Sequence, residues 1–153
     1  MIFVTFSLNG IHYALDIVCV EEVIPLPEIT PVENLPLSFR GMINLRGFSL
    51  PIMDLRTRLG LEPRPDALET DIIVIKMGQQ LTGLIVDKVL EVCEINDEQR
   101  LPPPKVSDYI ETPYITGVAQ LGMAFVFIMQ LDQILNLEKK KTFANLDFKM
   151  SER

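Results

Sequence analysis

The side chains that could do chemistry are few and scattered. The 153 residues hold one histidine, His12, and two cysteines, Cys19 and Cys93. Neither cysteine has CxxC spacing or a neighbouring histidine, and both sit in apolar runs. They read as buried free thiols, not as metal ligands or a disulfide. His12 falls on the more polar face of an alternating strand, with Ala14 and Asp16, opposite Ile11, Tyr13, Leu15 and Ile17. It reads as a solvated structural histidine. Acid–base catalysis needs carboxylates that face a common point. Glu21-Glu22 and Asp97-Glu98 are adjacent in sequence, and neighbours on a strand point to opposite faces. Asp54 precedes a helical turn and reads as its cap, while Asp16 and Asp87 close apolar strands and serve turns. No GxSxG, Walker loop, HExxH or GxGxxG occurs. No catalytic residue, metal site or cofactor is therefore predicted.

Charge is more informative than any reactive group. The net charge of −7 argues against nucleic acid, which wants a basic footprint. Residues 1–39 hold five acids and no Lys or Arg, whereas residues 40–64 hold Arg40, Arg46, Arg56, Arg58 and Arg64 against Asp54 and Glu62. Such a local basic segment matches a partner electrostatically, or pairs with the chain's own acids. No stretch approaches the roughly 20 apolar residues of a membrane span. The start, with Ile2, Val4, Phe6 and Leu8 alternating, lacks the basic region and cleavage site of a signal peptide. These features predict a cytoplasmic protein without direct membrane insertion.

The elements that must position these groups are short strands. Eight Gly and 11 Pro punctuate apolar runs, as in an all-β fold. Asn9-Gly10 between two alternating runs signals a hairpin, because a type I′ turn needs positive φ at both central residues. The β-branched run Ile72–Ile75 predicts a strand buried on both faces, separated by Gly78 from a second strand at Leu81–Val86. Phe125–Met129 predicts another buried strand. Short helical turns are expected at Leu55–Leu59, capped by Asp54 and ended by Gly60, and at Leu131, Ile134 and Leu135, with three lysines beyond. Pro102-Pro103-Pro104 reads as an extended connection, and residues 62–70 as a surface loop between halves. The tail 139–153 is predicted to be weakly ordered.

Residues 41–61 (GMINLRGFSLPIMDLRTRLGL) align without a gap to 117–137 (GVAQLGMAFVFIMQLDQILNL), with seven of 21 positions identical. Upstream, Val20-Glu21-Glu22-Val23 echoes Val89-Leu90-Glu91-Val92. Two related β lobes follow, each with a hairpin and a short helix. At its turn the first copy has Asn44, Arg46 and Gly47, and the second Gln120, Gly122 and Met123. Packing alone does not demand an arginine there, so Arg46 stands out as a functional candidate.

In order, YALDIVCVEEVI (13–24), ITPVENLPLSFRGMINLRG (29–47), LPIMDLRTRLGL (50–61), GLIVDKVLEV (83–92), LPPP (101–104) and YITGVAQLG (114–122) resemble the CheW family over roughly residues 2–138. The resemblance implies one CheW-like domain spanning 1–153, with two intertwined, SH3-like, five-stranded β-barrel lobes that change over near 62–70. It implies no catalysis and no cofactor. It further implies an adaptor between the cytoplasmic hairpin tip of chemoreceptors and the regulatory domain of the histidine kinase CheA, recruited to membrane-associated receptor arrays. By motif, the receptor-binding positions are Val20, Glu22, Val23, Asn44, Leu45, Arg46 and Gly47, with Glu22 and Arg46 as an acid–arginine pair. The kinase-binding positions are Gly41, Gly117, Leu121 and Gly122. The chain has little before its first strand and lacks the receiver domain of the related CheV proteins, so its phosphorylation by the kinase is not expected.

A small two-lobed β-barrel enzyme or ligand carrier is the rival class. It would show a polar, ionisable cluster inside a pocket, and the sequence offers Arg46 and little else toward one.

Overall fold

A computed structural model of the chain describes residues 1–62, 65–77, 79–102 and 114–134. Arg64, Gly78, the connection beyond Pro102, Leu135, the three lysines and the tail 139–153 lie outside the described residues. Eleven strands form two sheets among those described. The strands are β1 (Ile2–Leu8), β2 (Ile11–Asp16), β3 (Val20–Pro25), β4 (Phe39–Leu45), β5 (Phe48–Asp54) and β6 (Asp71–Met77). They continue with β7 (Gln80–Val86), β8 (Lys88–Glu94), β9 (Arg100–Leu101), β10 (Ile115–Leu121) and β11 (Ala124–Met129). One sheet runs β8-β1-β2-β11-β10-β9 and the other β3-β6-β7-β5-β4. We call these the terminal and central lobes. Each has five long strands, and the terminal lobe adds the two-residue β9.

The lobes are not successive halves. The chain leaves the terminal lobe after β2 through a 3-10 turn at Ile17–Cys19, builds the whole central lobe, and returns at Asp87. Residues 62–70 join the helical turn α1 (Leu55–Arg58) to β6, and β5, β6 and β7 all belong to the central lobe. The expected lobe change near 62–70 is thus corrected to two crossovers. Its cause is long-range pairing: β11 lies parallel to β2, Val126 opposite His12, and β5 lies parallel to β7, Ile52 opposite Gly83.

The internal repeat is visible in strand register. The β4–β5 pair Gly41↔Ile52 becomes Gly117↔Ile128 in β10–β11, 41 moving to 117 and 52 to 128, a shift of 76. The β1–β2 pair Phe3↔Asp16 becomes Ile72↔Ile85 in β6–β7, 3 moving to 72 and 16 to 85, a shift of 69. Strand β3 with its bulge at Val20/Glu22 matches β8 pairing on β1 at the same shift of 69. Asn9 and Gly10 have φ of 51° and 77°, as the type I′ hairpin requires.

Three cores follow from this symmetry. Phe3, Ala14, Ala119, Val126 and Ile128 fill the terminal lobe. Ile72, Ile43, Leu50 and Ile52 fill the central one. Between the lobes lies a third core, where equivalent residues meet: Leu15 with Leu84, Met53 with Met129, Leu55 with Leu131. The run Ile72–Ile75 is buried throughout because its residues alternate between two cores, Ile72 and Val74 facing one, Ile73 and Ile75 the other. Removing a side chain such as Leu55 from the shared core would cost about 2–5 kcal/mol. The α1 turn is capped as expected, the Arg56 amide donating to Asp54 Oδ1 at 3.1 Å. Leu131–Ile134 is helical too.

Each barrel closes by a short bridge. Thr30 pairs with Met42, each amide donating to the other's carbonyl at 2.9 Å. Leu101 pairs with Val118 at the equivalent place.

Candidate docking surface

The outer strands of the central lobe, β3 and β4, are tied at one end of the barrel by two side chains. Arg46 Nη2 donates to Glu22 Oε2 at 2.6 Å. Glu22 follows the bulge in β3, where Val20, Glu22 and Ile24 are half-buried and Glu21, Val23 and Pro25 exposed. Arg46 belongs to the tight β4–β5 turn, with φ of 48° at Arg46 and 89° at Gly47. Positive φ suits glycine but is uncommon for arginine. Asn44 Oδ1 offsets that strain by accepting the Gly47 amide at 2.8 Å.

The electrostatics leave the pair half used. The Arg46 side chain is 71% exposed and Glu22 29%. Among the described residues only the Nη2 arm of Arg46 is engaged, so the planar fork keeps donors for another molecule. The hydrogen bond and charge of Glu22 raise the Arg46 pKa above its ordinary value. Among the described residues, Glu22 Oε1 is buried without a protein partner. Nearby in sequence, Val23 (41%) and two residues that sequence reasoning missed, Phe48 (68%) and Val18 (86%), expose apolar surface. Phe48 directly follows the Arg46-Gly47 turn, and that position was the available signal.

The structure brings Glu22 and Arg46 into contact and holds Asn44 and Gly47 in the same turn. Val20 and Leu45 are half-buried: Val20 packs on the shared core and Leu45 on the central-lobe core. Gly41 and Gly117 are buried. A Cβ at Gly41 would stand 2.1 Å from the Thr30 carbonyl oxygen, and one at Gly117 would stand 2.9 Å from Arg100 Nε and 3.2 Å from Leu101 O. Both glycines let the closing bridge approach.

Among the described residues, the equivalent end of the terminal lobe carries no arginine. Gly122, with φ of 62°, replaces Arg46 and starts a different hairpin turn. Leu121 is half-buried and Gly122 exposed, while Met123 and Phe125 are 99% and 55% exposed. A cavity of about 270 Å³ beside them is lined by Thr5, His12, Leu90, Glu91, Leu121, Ala124 and Val126.

The four described arginines of the basic segment all make internal contacts. Arg40 makes a bidentate pair with Asp66 at 2.9 and 3.0 Å, Arg46 binds Glu22, Arg56 binds Asp87, and Arg58 binds the Ile134 carbonyl. Among the described residues, no group of three or more His, Cys, Asp or Glu could hold a metal. No described helix is long and apolar enough to cross a membrane.

Comparison with known proteins agrees with this architecture. A family model described as a CheW-like domain matches residues 3–139. The chemotaxis protein CheW of Klebsiella aerogenes is 31% identical over 144 residues, covering 94% of this chain and 87% of that protein. CheW of Thermotoga maritima is 33% identical over 131 residues, covering 86% and 85%. The crystal structure of the scaffolding protein TtCheW from Thermoanaerobacter tengcongensis superposes with a TM-score of 0.76 at 36% identity, covering 84% of this chain and 88% of that one.

Proposed function

The chain belongs to the CheW-like domain family, and from that premise we propose that it is a non-catalytic adaptor. It couples the cytoplasmic hairpin tip of chemoreceptors to the regulatory domain of the kinase CheA, and is recruited from the cytoplasm to receptor arrays. The observation that supports this reading is the Glu22–Arg46 pair, an exposed, half-satisfied arginine fork beside surface apolar residues. A helical partner lays its apolar face in a groove and is oriented by a few polar contacts at the edge. Val20, Val23 and Leu45 supply the apolar part, and Arg46, presented by Asn44 and Gly47, supplies the orientation. The kinase takes the apolar end of the terminal lobe at Leu121 and Gly122, where Met123 and Phe125 stand out. Gly41 and Gly117 serve it from beneath, by allowing barrel closure.

The test is co-purification of the protein with a receptor-tip fragment and a kinase regulatory domain, separately and together. Capture of both at once, with Arg46→Ala losing only the receptor, supports the adaptor. Failure to capture either fragment, with the protein folded, overturns it.

A further inference from the structure

The two crossovers between lobes occupy related places in the repeat but are built differently. At the second, Asp87 is a hub between lobes. Its amide donates to Ser7 O at 3.1 Å and its carboxylate accepts the Asn9 amide at 2.8 Å, both in the terminal lobe. From the central lobe, Arg56 grips the same carboxylate with Nε and Nη2. Arg56 Nη1 also donates to Asn9 Oδ1 and to the Glu62 carbonyl. The Arg56 side chain is only 7% exposed. At the first crossover the shift of 76 puts Asp132 at the place of Arg56, and the shift of 69 puts Val18, 86% exposed, at the place of Asp87. Neither can reproduce the fork. The Asp16 carboxylate there accepts the Val18 amide, a bond local to the turn. A cavity of about 390 Å³ adjoins that crossover, lined among others by Leu15, Asp16, Cys19, Leu131 and Asp132.

We propose that Arg56 is a positioning residue that pins the orientation of the two lobes, and with it the angle between their exposed ends, from one side of the molecule. The shared core alone does not set that angle. Apolar burial is non-directional and scales with area, so lobes joined by it can slide with little loss. An arginine fork on a carboxylate fixes both distance and plane. Arg56 makes such a fork at the lobe boundary with both Nη1 donors committed as well, so rotation at this crossover breaks several bonds at once. The opposite crossover, with Val18 and Asp132, follows the motion.

Residual dipolar couplings on the isolated protein test this without any partner, so the result stands apart from the adaptor reading. In the parent chain both lobes fit one alignment tensor. In Arg56→Met each lobe still fits its own coordinates, but the tensors separate, with the magnitude in one lobe reduced by about a third or more. Asn9→Gly keeps the positive φ of the turn and removes only the Oδ1 acceptor, so it folds even if Arg56→Met does not. A smaller separation of the same kind is expected from it. A common tensor in Asn9→Gly, and in Arg56→Met where it folds, overturns the proposal and leaves Arg56 a contributor to stability alone.

Discussion

Arg58 and Ile134 occupy the same position in the two copies of the repeat, and one donates to the other. The Arg58 guanidinium donates from Nε and Nη2 to the Ile134 carbonyl, at 3.3 Å each. The shift of 76 that carries Leu55 to Leu131 also carries residue 58 to 134, so the contact lies where the two helical turns meet around the shared core. A basic side chain that donates to a helical carbonyl satisfies that acceptor and ties the two turns together.

Arg58→Ala is therefore expected to lower stability by about 1.5 kcal/mol or more, the worth of a partly buried charged hydrogen bond. Urea unfolding should show the lower midpoint with an unchanged slope, since the surface exposed on unfolding stays the same. A changed slope would mean that the lobes no longer unfold together.

The two closing glycines should respond unequally. Alanine at Gly41 meets a main-chain oxygen at 2.1 Å, and at φ of 147° it is strained as well. Alanine at Gly117 first meets the flexible side chain of Arg100. Gly41→Ala is expected to cost about 3 kcal/mol or more, and Gly117→Ala about 1 kcal/mol. Denaturant unfolding of both variants checks the order, and equal losses would contradict the packing described.

At the docking surface, Arg46→Ala should leave the melting temperature nearly unchanged while receptor-tip capture is lost, because exposed ion pairs contribute little to folding. Arg46→Gly should melt no lower than Arg46→Ala, since glycine accepts the positive φ without strain. Kinase capture should survive in both. A large fall in melting temperature with normal capture by the folded fraction would make Arg46 a structural tie instead.

Burial is the largest cause raising the pKa of the Cys19 and Cys93 thiols, with nearby carboxylates adding to it: Asp16 and Asp132 for Cys19, Glu91 for Cys93. Both should alkylate slowly at about pH 7 and faster only above about pH 9. In unfolded chains the thiols ionise earlier, so their contribution to stability falls as pH rises from the unfolded value through the folded one. Mass spectrometry after timed labelling measures the rates, and rapid labelling of native protein at neutral pH would show the burial to be wrong.

Local features proved the most legible in the sequence. Asn9-Gly10 announced its turn, Asp54 its cap, and residues 41–61 against 117–137 announced the repeated hairpin with the correct register. The interleaving did not show, because nothing near His12 signals that Val126 will lie beside it. The two shifts, 76 for the hairpin and 69 for Val20–Val23 against Val89–Val92, reflected extra length in one linker and did not reveal a strand exchange. At the candidate site, Arg46 stood out because its counterpart is Gly122. Its dependence on a left-handed backbone, and the exposure of Phe48 beside it, required coordinates. So did the pairing of the basic segment: Asp66 and Asp87, which hold Arg40 and Arg56, lie 26 and 31 residues away.

The crossovers also order events during synthesis. All five strands of the central lobe, β3 through β7, leave the ribosome as one uninterrupted stretch and can pair as they emerge. The first hairpin, β1–β2, emerges earlier but cannot complete its sheet, since β8 and then β11 are made last. Until Val126–Ile128 arrives, the β2 edge that will receive it is open, and open strand edges recruit other chains. The oldest part of the nascent protein is thus the last to be sheltered. Premature termination before Ala124 would leave a finished central barrel carrying an adhesive hairpin, a product for quality control to clear.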